Sequence, residues 1–172
     1  YYYCMKEAGL PVNNVLPLPI DLETYKEQRN SGTLKVFHPV NRDESCEDFK
    51  GTKLISSVFS ELNGKYKNGV EFVCRGGLPH KEYTEMSSSA DIVVDQAYSY
   101  SYGMSATIAM AQGKVVLSGL EAEARQVPFY AQFPVVNIEP SVESIKRQLQ
   151  TVLERPATVR SRGQRFAEYA RE

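Results

Sequence analysis

The sequence predicts an α/β protein built on a doubly wound parallel sheet. Three observations lead there. Five short apolar runs rich in β-branched residues recur along the chain. Segments with the 3.6-residue period of a helix separate them. The alternation has the spacing of βαβ units, whose strands lie parallel with both faces of the sheet covered.

The first run is Leu34-Lys35-Val36-Phe37-His38, which leads through an acidic loop to a helix with Leu54, Val58, Phe59 and Leu62 on one face. The second, Val70 to Cys74, precedes a helix expected to start at Pro79 and to carry Tyr83 and Met86. Proline suits a first helical position because its N–H would be unsatisfied there anyway. Asp91 to Asp95 is the third run, followed by a helix from Ser105 to Gln112 that Gly113 stops. Lys114 to Leu117 is the fourth, with a helix placed within Glu121 to Gln132. The fifth, Val135 to Ile138, leads into two helical stretches, Val142 to Leu153 and Ala157 to Ala170, with Pro156 at the break. Residues 1–33 hold Pro11, Pro17 and Pro19 and read as a connector with short helices from a preceding domain. Residues 34–172 form the Rossmann-like domain.

Composition narrows the function classes. The 172 residues suit one domain with a real core, and 42% hydrophobic with 24% charged residues is a soluble balance. A formal net charge of -1 gives no bulk attraction to nucleic acid, so no nucleic-acid partner is expected. No apolar run approaches the roughly 20 residues that span a bilayer. The opening Tyr1-Tyr2-Tyr3-Cys4 lacks the basic start and apolar stretch of a secretory signal. Cys4, Cys46 and Cys74 are odd in number and form no C-x-x-C pair, as expected of reduced thiols in a cytoplasmic protein. Cys74 reads as packing rather than nucleophile. The chain does not begin with methionine, and an excised piece of a longer protein is expected.

A doubly wound sheet takes its ligand outside the carboxyl ends of the strands. After the first strand come His38-Pro39-Val40-Asn41-Arg42 and then Lys50-Gly51-Thr52 at a helix start. Backbone N–H groups and the helix dipole favour an anion there, and Arg42 and Lys50 add charge. Capping by Thr52 with solvated cations is the plainer account. Arg75-Gly76-Gly77-Leu78-Pro79-His80 follows the second strand, and a tight turn explains it as well as a ligand does. After the third strand, Gly103 precedes a helix start and exposes the N–H groups of Met104 and Ser105. Tyr98, Tyr100 and Tyr102 either line a groove for a base or sugar ring or pack against a part of the protein outside this chain.

These pieces, in order, resemble the C-terminal domain of retaining GT-B glycosyltransferases of the family 4 kind. The match runs through Leu16-Pro17-Leu18-Pro19-Ile20-Asp21, His38-Pro39, Lys50-Gly51-Thr52 and Ala90-Asp91-Ile92-Val93-Val94-Asp95-Gln96. It continues through Tyr102-Gly103 and Ala109-Met110-Ala111-Gln112-Gly113-Lys114-Val115-Val116. The resemblance implies a nucleotide-sugar donor site in one half of a GT-B fold. Arg42 and Lys50 would neutralise the diphosphate in the catalytic role. His38, Asn41, Gly51, Thr52, Tyr100, Tyr102, Gly103, Met104 and Ser105 would contact substrate. Leaving-group stabilisation by fixed cations and amides needs no metal or other cofactor, and the sequence has no Asp-x-Asp pair.

One departure stands out. Family members carry two glutamates eight residues apart, one contacting the sugar and the other the donor ribose; Tyr100 and Ile108 occupy those positions. The leading expectation is a sugar transferase acting in polysaccharide biosynthesis, whose acceptor domain lies outside this chain and without which the fragment is inactive. The alternative is a GT-B-like partner subunit without catalysis. A flavodoxin-like nucleotide-binding domain explains the sheet and glycines but not the motif order. A membrane-surface acceptor is compatible, but no basic amphipathic helix supports it. Arg160, Arg162, Arg165 and Arg171 read as a solvated helix face.

Overall fold

A computed structural model of the chain describes residues 6–11, 19–26, 31–40, 48–126 and 134–171. Asn41, Arg42, Cys4, Cys46 and much of the expected connector lie outside these residues. The strands are β1 (Leu34–Pro39), β2 (Val70–Arg75), β3 (Ile92–Val94), β4 (Val115–Ser118) and β5 (Val136–Asn137). All pair in parallel, in the order β2-β1-β3-β4-β5. The chain steps outward from β1 to β2 and then returns past β1 to β3, so strand order reverses between β1 and β3.

The predicted elements form with small shifts. Helix α1 (Thr52–Lys65) buries Ile55, Val58, Phe59 and Leu62, whereas Leu54, expected on that face, is only half-buried. Ile55 completes an i, i+3, i+4, i+7 stripe with the others, which places Leu54 at its margin. Helix α2 (His80–Ser89) starts one residue later than expected, because Pro79 holds an extended ψ of 150° and precedes the helix. Helix α3 (Met104–Ala111) begins one residue earlier than expected. Beyond it are α4 (Ala122–Arg125), α5 (Val142–Leu153) and α6 (Pro156–Tyr169). Ser141 caps α5 by accepting from the Ser144 N–H.

The central strands are apolar on both faces, as a sheet covered by helices on both sides requires. Val36, Ile92, Val94, Val115, Val116 and Leu117 are fully buried. Helices α1 and α5 pack together, and α3 packs with α6. Gly163 makes the second contact possible, since a Cβ there would lie 1.9 Å from the Gly113 carbonyl oxygen. No described helix is long and apolar enough to cross a membrane.

Candidate functional site

The reversal of strand order between β1 and β3 opens a crevice at their carboxyl ends. Two loops meet over it, one entering α1 and one entering α3. Gly51 has a φ of 73°, and a Cβ there would approach Ala97 Cβ to 3.1 Å, so glycine serves both the turn and the close contact. The Ala97 N–H donates to the Lys50 carbonyl at 2.8 Å, locking the loops together.

Lys50 lies at the centre of this junction. Its Nζ donates to Asp95 Oδ1 at 2.9 Å and Ser105 Oγ at 3.3 Å, with side-chain exposures of 12% for Lys50 and 1% for Asp95. The other oxygen of Asp95 accepts the Gly103 N–H at 3.2 Å. Asp95 therefore joins β3, the cation and the approach to α3 in one charge-assisted network. At α1, the Thr52 and Lys53 N–H groups donate to the carboxylate of Asp48, the latter at 2.9 Å. The anion-favouring N–H groups at the start of α1 are thus engaged by a carboxylate of the chain itself, whereas at α3 the carboxylate of Asp95 takes the Gly103 N–H just before the helix and not those of Met104 and Ser105.

His38 is fully buried at the carboxyl end of β1. Its Nδ1 donates to the Val94 carbonyl at 2.7 Å, which leaves Nε2 to accept the Thr52 hydroxyl at 2.9 Å. Burial, the largest influence, pushes its pKa down to about 4, so the ring is neutral near pH 7. His38 and Thr52, both expected at the substrate, therefore engage each other and tie β1, β3 and α1 together.

Beside this junction is a cleft of about 400 Å³ lined by Pro19, Ile20, Asp21, Tyr25, His80, Tyr83, Met104, Ser105 and Ile108. Met104 and Ser105, predicted from sequence, both face it. Gly103 adjoins through its bond to Asp95. Tyr98 and Tyr100 are exposed, whereas Tyr102 is buried in the core. Ile108 gives the cleft an apolar wall where the resemblance predicts a carboxylate.

Sequence reasoning missed several contributors. The Tyr25 hydroxyl meets His80 Nε2 at 3.1 Å, and Tyr83 lines the cleft together with Ser105. Burial raises the Tyr83 pKa to about 12, so its phenol stays protonated. No local pattern marks Tyr25 or Tyr83 for the cleft, since the residues they meet there are distant in sequence; His80 stands out only as the residue at the turn into α2. Cys74 is half-buried on the edge strand β2, paired in register with His38, and burial raises its thiol pKa, in keeping with a packing role.

The sequence matches no protein-family model and no curated protein. Its fold does match solved structures. Sucrose-phosphate synthase from Thermosynechococcus elongatus superposes with a TM-score of 0.64 at 18% identity over 90% of this chain and 47% of that one. The chain thus spans about half the length of that enzyme. The catalytic domain of cholesterol-alpha-glucosyltransferase from Helicobacter pylori gives 0.52 at 15% identity, covering 80% of this chain and 96% of that one. UDP-GlcNAc 2-epimerase from Neisseria meningitidis, bound to UDP-GlcNAc, gives 0.52 at 15% identity, covering 76% of this chain and 39% of that one. At these identities the likeness is one of fold, and it establishes a Rossmann-like α/β domain of the GT-B type.

Proposed function

We propose that the chain is the donor-binding domain of a GT-B glycosyltransferase that moves a sugar from a nucleotide-sugar to a glycan or other acceptor. The observation that carries this reading is the Lys50–Asp95–Ser105 cluster beside an open cleft, where strand order reverses. In the proposed reaction the diphosphate leaves carrying negative charge. Lys50, the N–H groups of Met104 and Ser105, and the Ser105 hydroxyl stabilise that charge from fixed positions. Arg42 is assigned the second cation. Retention of configuration and independence from metal follow the family resemblance. The acceptor belongs to a separate domain, residues 1–33 serve as the connector to it, and the parent protein is cytoplasmic.

A second reading is a partner subunit that keeps the fold without the chemistry. It draws support from the apolar wall at Ile108 and from the carboxylates of Asp48 and Asp95 at both helix starts. Calorimetric titration with UDP, GDP and their sugar conjugates separates the two. The donor reading expects one nucleotide to bind, with binding lost in Lys50→Ala and in Arg42→Ala. No heat from any nucleotide would leave the partner reading standing.

A further inference from the structure

The arginines of α6 divide into two groups. Arg160 is bound within the protein, donating from Nε to Asp91 and from Nη2 to the Gly32 carbonyl, each at 3.0 Å. Arg162 and Arg165 have no carboxylate or hydrogen-bond partner among the described residues. Both line a pocket of about 290 Å³ together with Pro134, Phe166 and Tyr169. Burial chiefly, and then the positive charges of Arg165 and Arg155, lower the pKa of Arg162. Cations gathered without a counter-charge oppose folding, so an anion placed among them stabilises the protein.

The pocket is remote from the cleft. Pro134 lies just before β5, and Arg160 of the same helix meets Asp91 just before β3, so α6 crosses the amino end of the sheet. The stretch from Val127 to Phe133, which leads into Pro134, contains no acidic residue. Glu168, one turn from Arg165, is exposed and pairs with neither arginine.

We infer that this pocket is a second binding site, for a phosphate monoester on a small ring compound. Charge decides the anion. Two guanidinium groups match the roughly −1.5 to −2 of a phosphate monoester, while one carboxylate would leave an arginine uncompensated. Their planar forks suit phosphate oxygens, and Pro134, Phe166 and Tyr169 supply a wall for a ring. The volume is near the lower end of the roughly 300–1,000 Å³ of ligand pockets, so the ligand is small. Tyr169 is the single exposed large apolar side chain of α6, too little surface for insertion into lipid. The inference stands apart from the donor reading.

Calorimetric titration of the 172-residue chain with phenyl phosphate tests it, beside inorganic phosphate and phosphatidylcholine vesicles containing phosphatidic acid. Saturable binding of phenyl phosphate is expected, tighter than inorganic phosphate and weaker with added salt. The Arg162→Ala/Arg165→Ala double variant should weaken it at least about tenfold, and Lys50→Ala should leave it intact. Loss in Lys50→Ala with retention in the double variant would assign the phosphate to the carboxyl-end cleft and overturn the inference. Binding to the vesicles alone, or to no phosphate, also overturns it. Arg165 is exposed, so Arg165→Ala should fold normally by circular dichroism and bind several-fold more weakly; unchanged affinity in that variant counts against the site.

Discussion

At the amino end of β3, Asp91 accepts the Lys35 N–H at 3.0 Å and Arg160 Nε at 3.0 Å. At the carboxyl end, Asp95 accepts the Gly103 N–H at 3.2 Å and Lys50 Nζ at 2.9 Å. Both carboxylates are buried, and each holds one backbone donor and one cation. The cations differ in what else they meet. Arg160 also reaches the Gly32 carbonyl and lies on a helix packed against the sheet, so its pair fastens α6 in place. Lys50 also reaches Ser105, which lines the open cleft, so its pair borders space that a ligand can enter. The same pairing of charges acts as a fastening at one end of the strand and, on the proposed function, as a poised anion site at the other.

If the amino end is a fastening, the largest loss should come from prying it apart. Gly163→Ala places a Cβ 1.9 Å from a backbone oxygen that cannot rotate away, so α6 must move off the α3–β4 turn. A loss of roughly 4 kcal/mol is expected in urea unfolding, above the usual cost of overpacking. A variant as stable as the parent would mean that α6 is not held this closely.

The carboxyl end has a fastening of its own in His38, with an effect on the order of 3 kcal/mol. Its pKa is about 4 in the folded chain, against an ordinary 6.5 for the exposed ring. The unfolded chain therefore binds more protons between those pH values, and stability falls as the pH is lowered across that window. The contribution is fully present above about pH 6.5 and is lost as pH falls to about 4, at about 1.4 kcal/mol for each pH unit crossed. Urea unfolding at pH 7.5 and 4.5 should show a smaller difference for His38→Gln than for the parent. An equal difference would assign the acid sensitivity to other groups.

The legible part of the molecule is the part whose physics is local. Runs such as Val70 to Cys74, and helix ends such as Gly113, announce themselves because strand burial and helix termination act over a few neighbours. Lys50, Gly103, Met104 and Ser105 could be placed at the site because helix starts have free N–H groups by construction. That Asp95 neutralises Lys50 across 45 residues, or that Tyr25 meets His80, depends on how the sheet is wound. In sequence Asp48 is one acid of an acidic loop, and its cap on α1 exists only once the loop has folded back. Ile108 stands out only against the family pattern, and the structure adds that it forms the cleft wall.

Asp91→Ala should separate the two ends. It leaves the Lys35 N–H unsatisfied near the core at a cost of about 2 kcal/mol. The lost ion pair adds little, because the Arg160 side chain is 41% exposed and water replaces the contact. Nucleotide affinity should not change. A weakening of nucleotide binding at unchanged fold would couple the amino end to the cleft and break the distinction between them.

The matching change at the other end, Asp95→Asn, tests whether the cluster is poised for an anion. Asparagine keeps the shape and an oxygen to accept the Gly103 N–H, but it gives up the charge that neutralises Lys50. On the donor reading, the lysine then acts on the diphosphate with its full charge. The pair is largely buried, so the released charge is weakly screened, and affinity for a nucleoside diphosphate should rise at least roughly threefold. Adding Lys50→Ala should abolish the gain, because the two residues act through one contact. If Asp95→Asn instead weakens binding while the fold is intact, Asp95 serves to hold Lys50 in position, and the pair at the carboxyl end is a fastening like its counterpart.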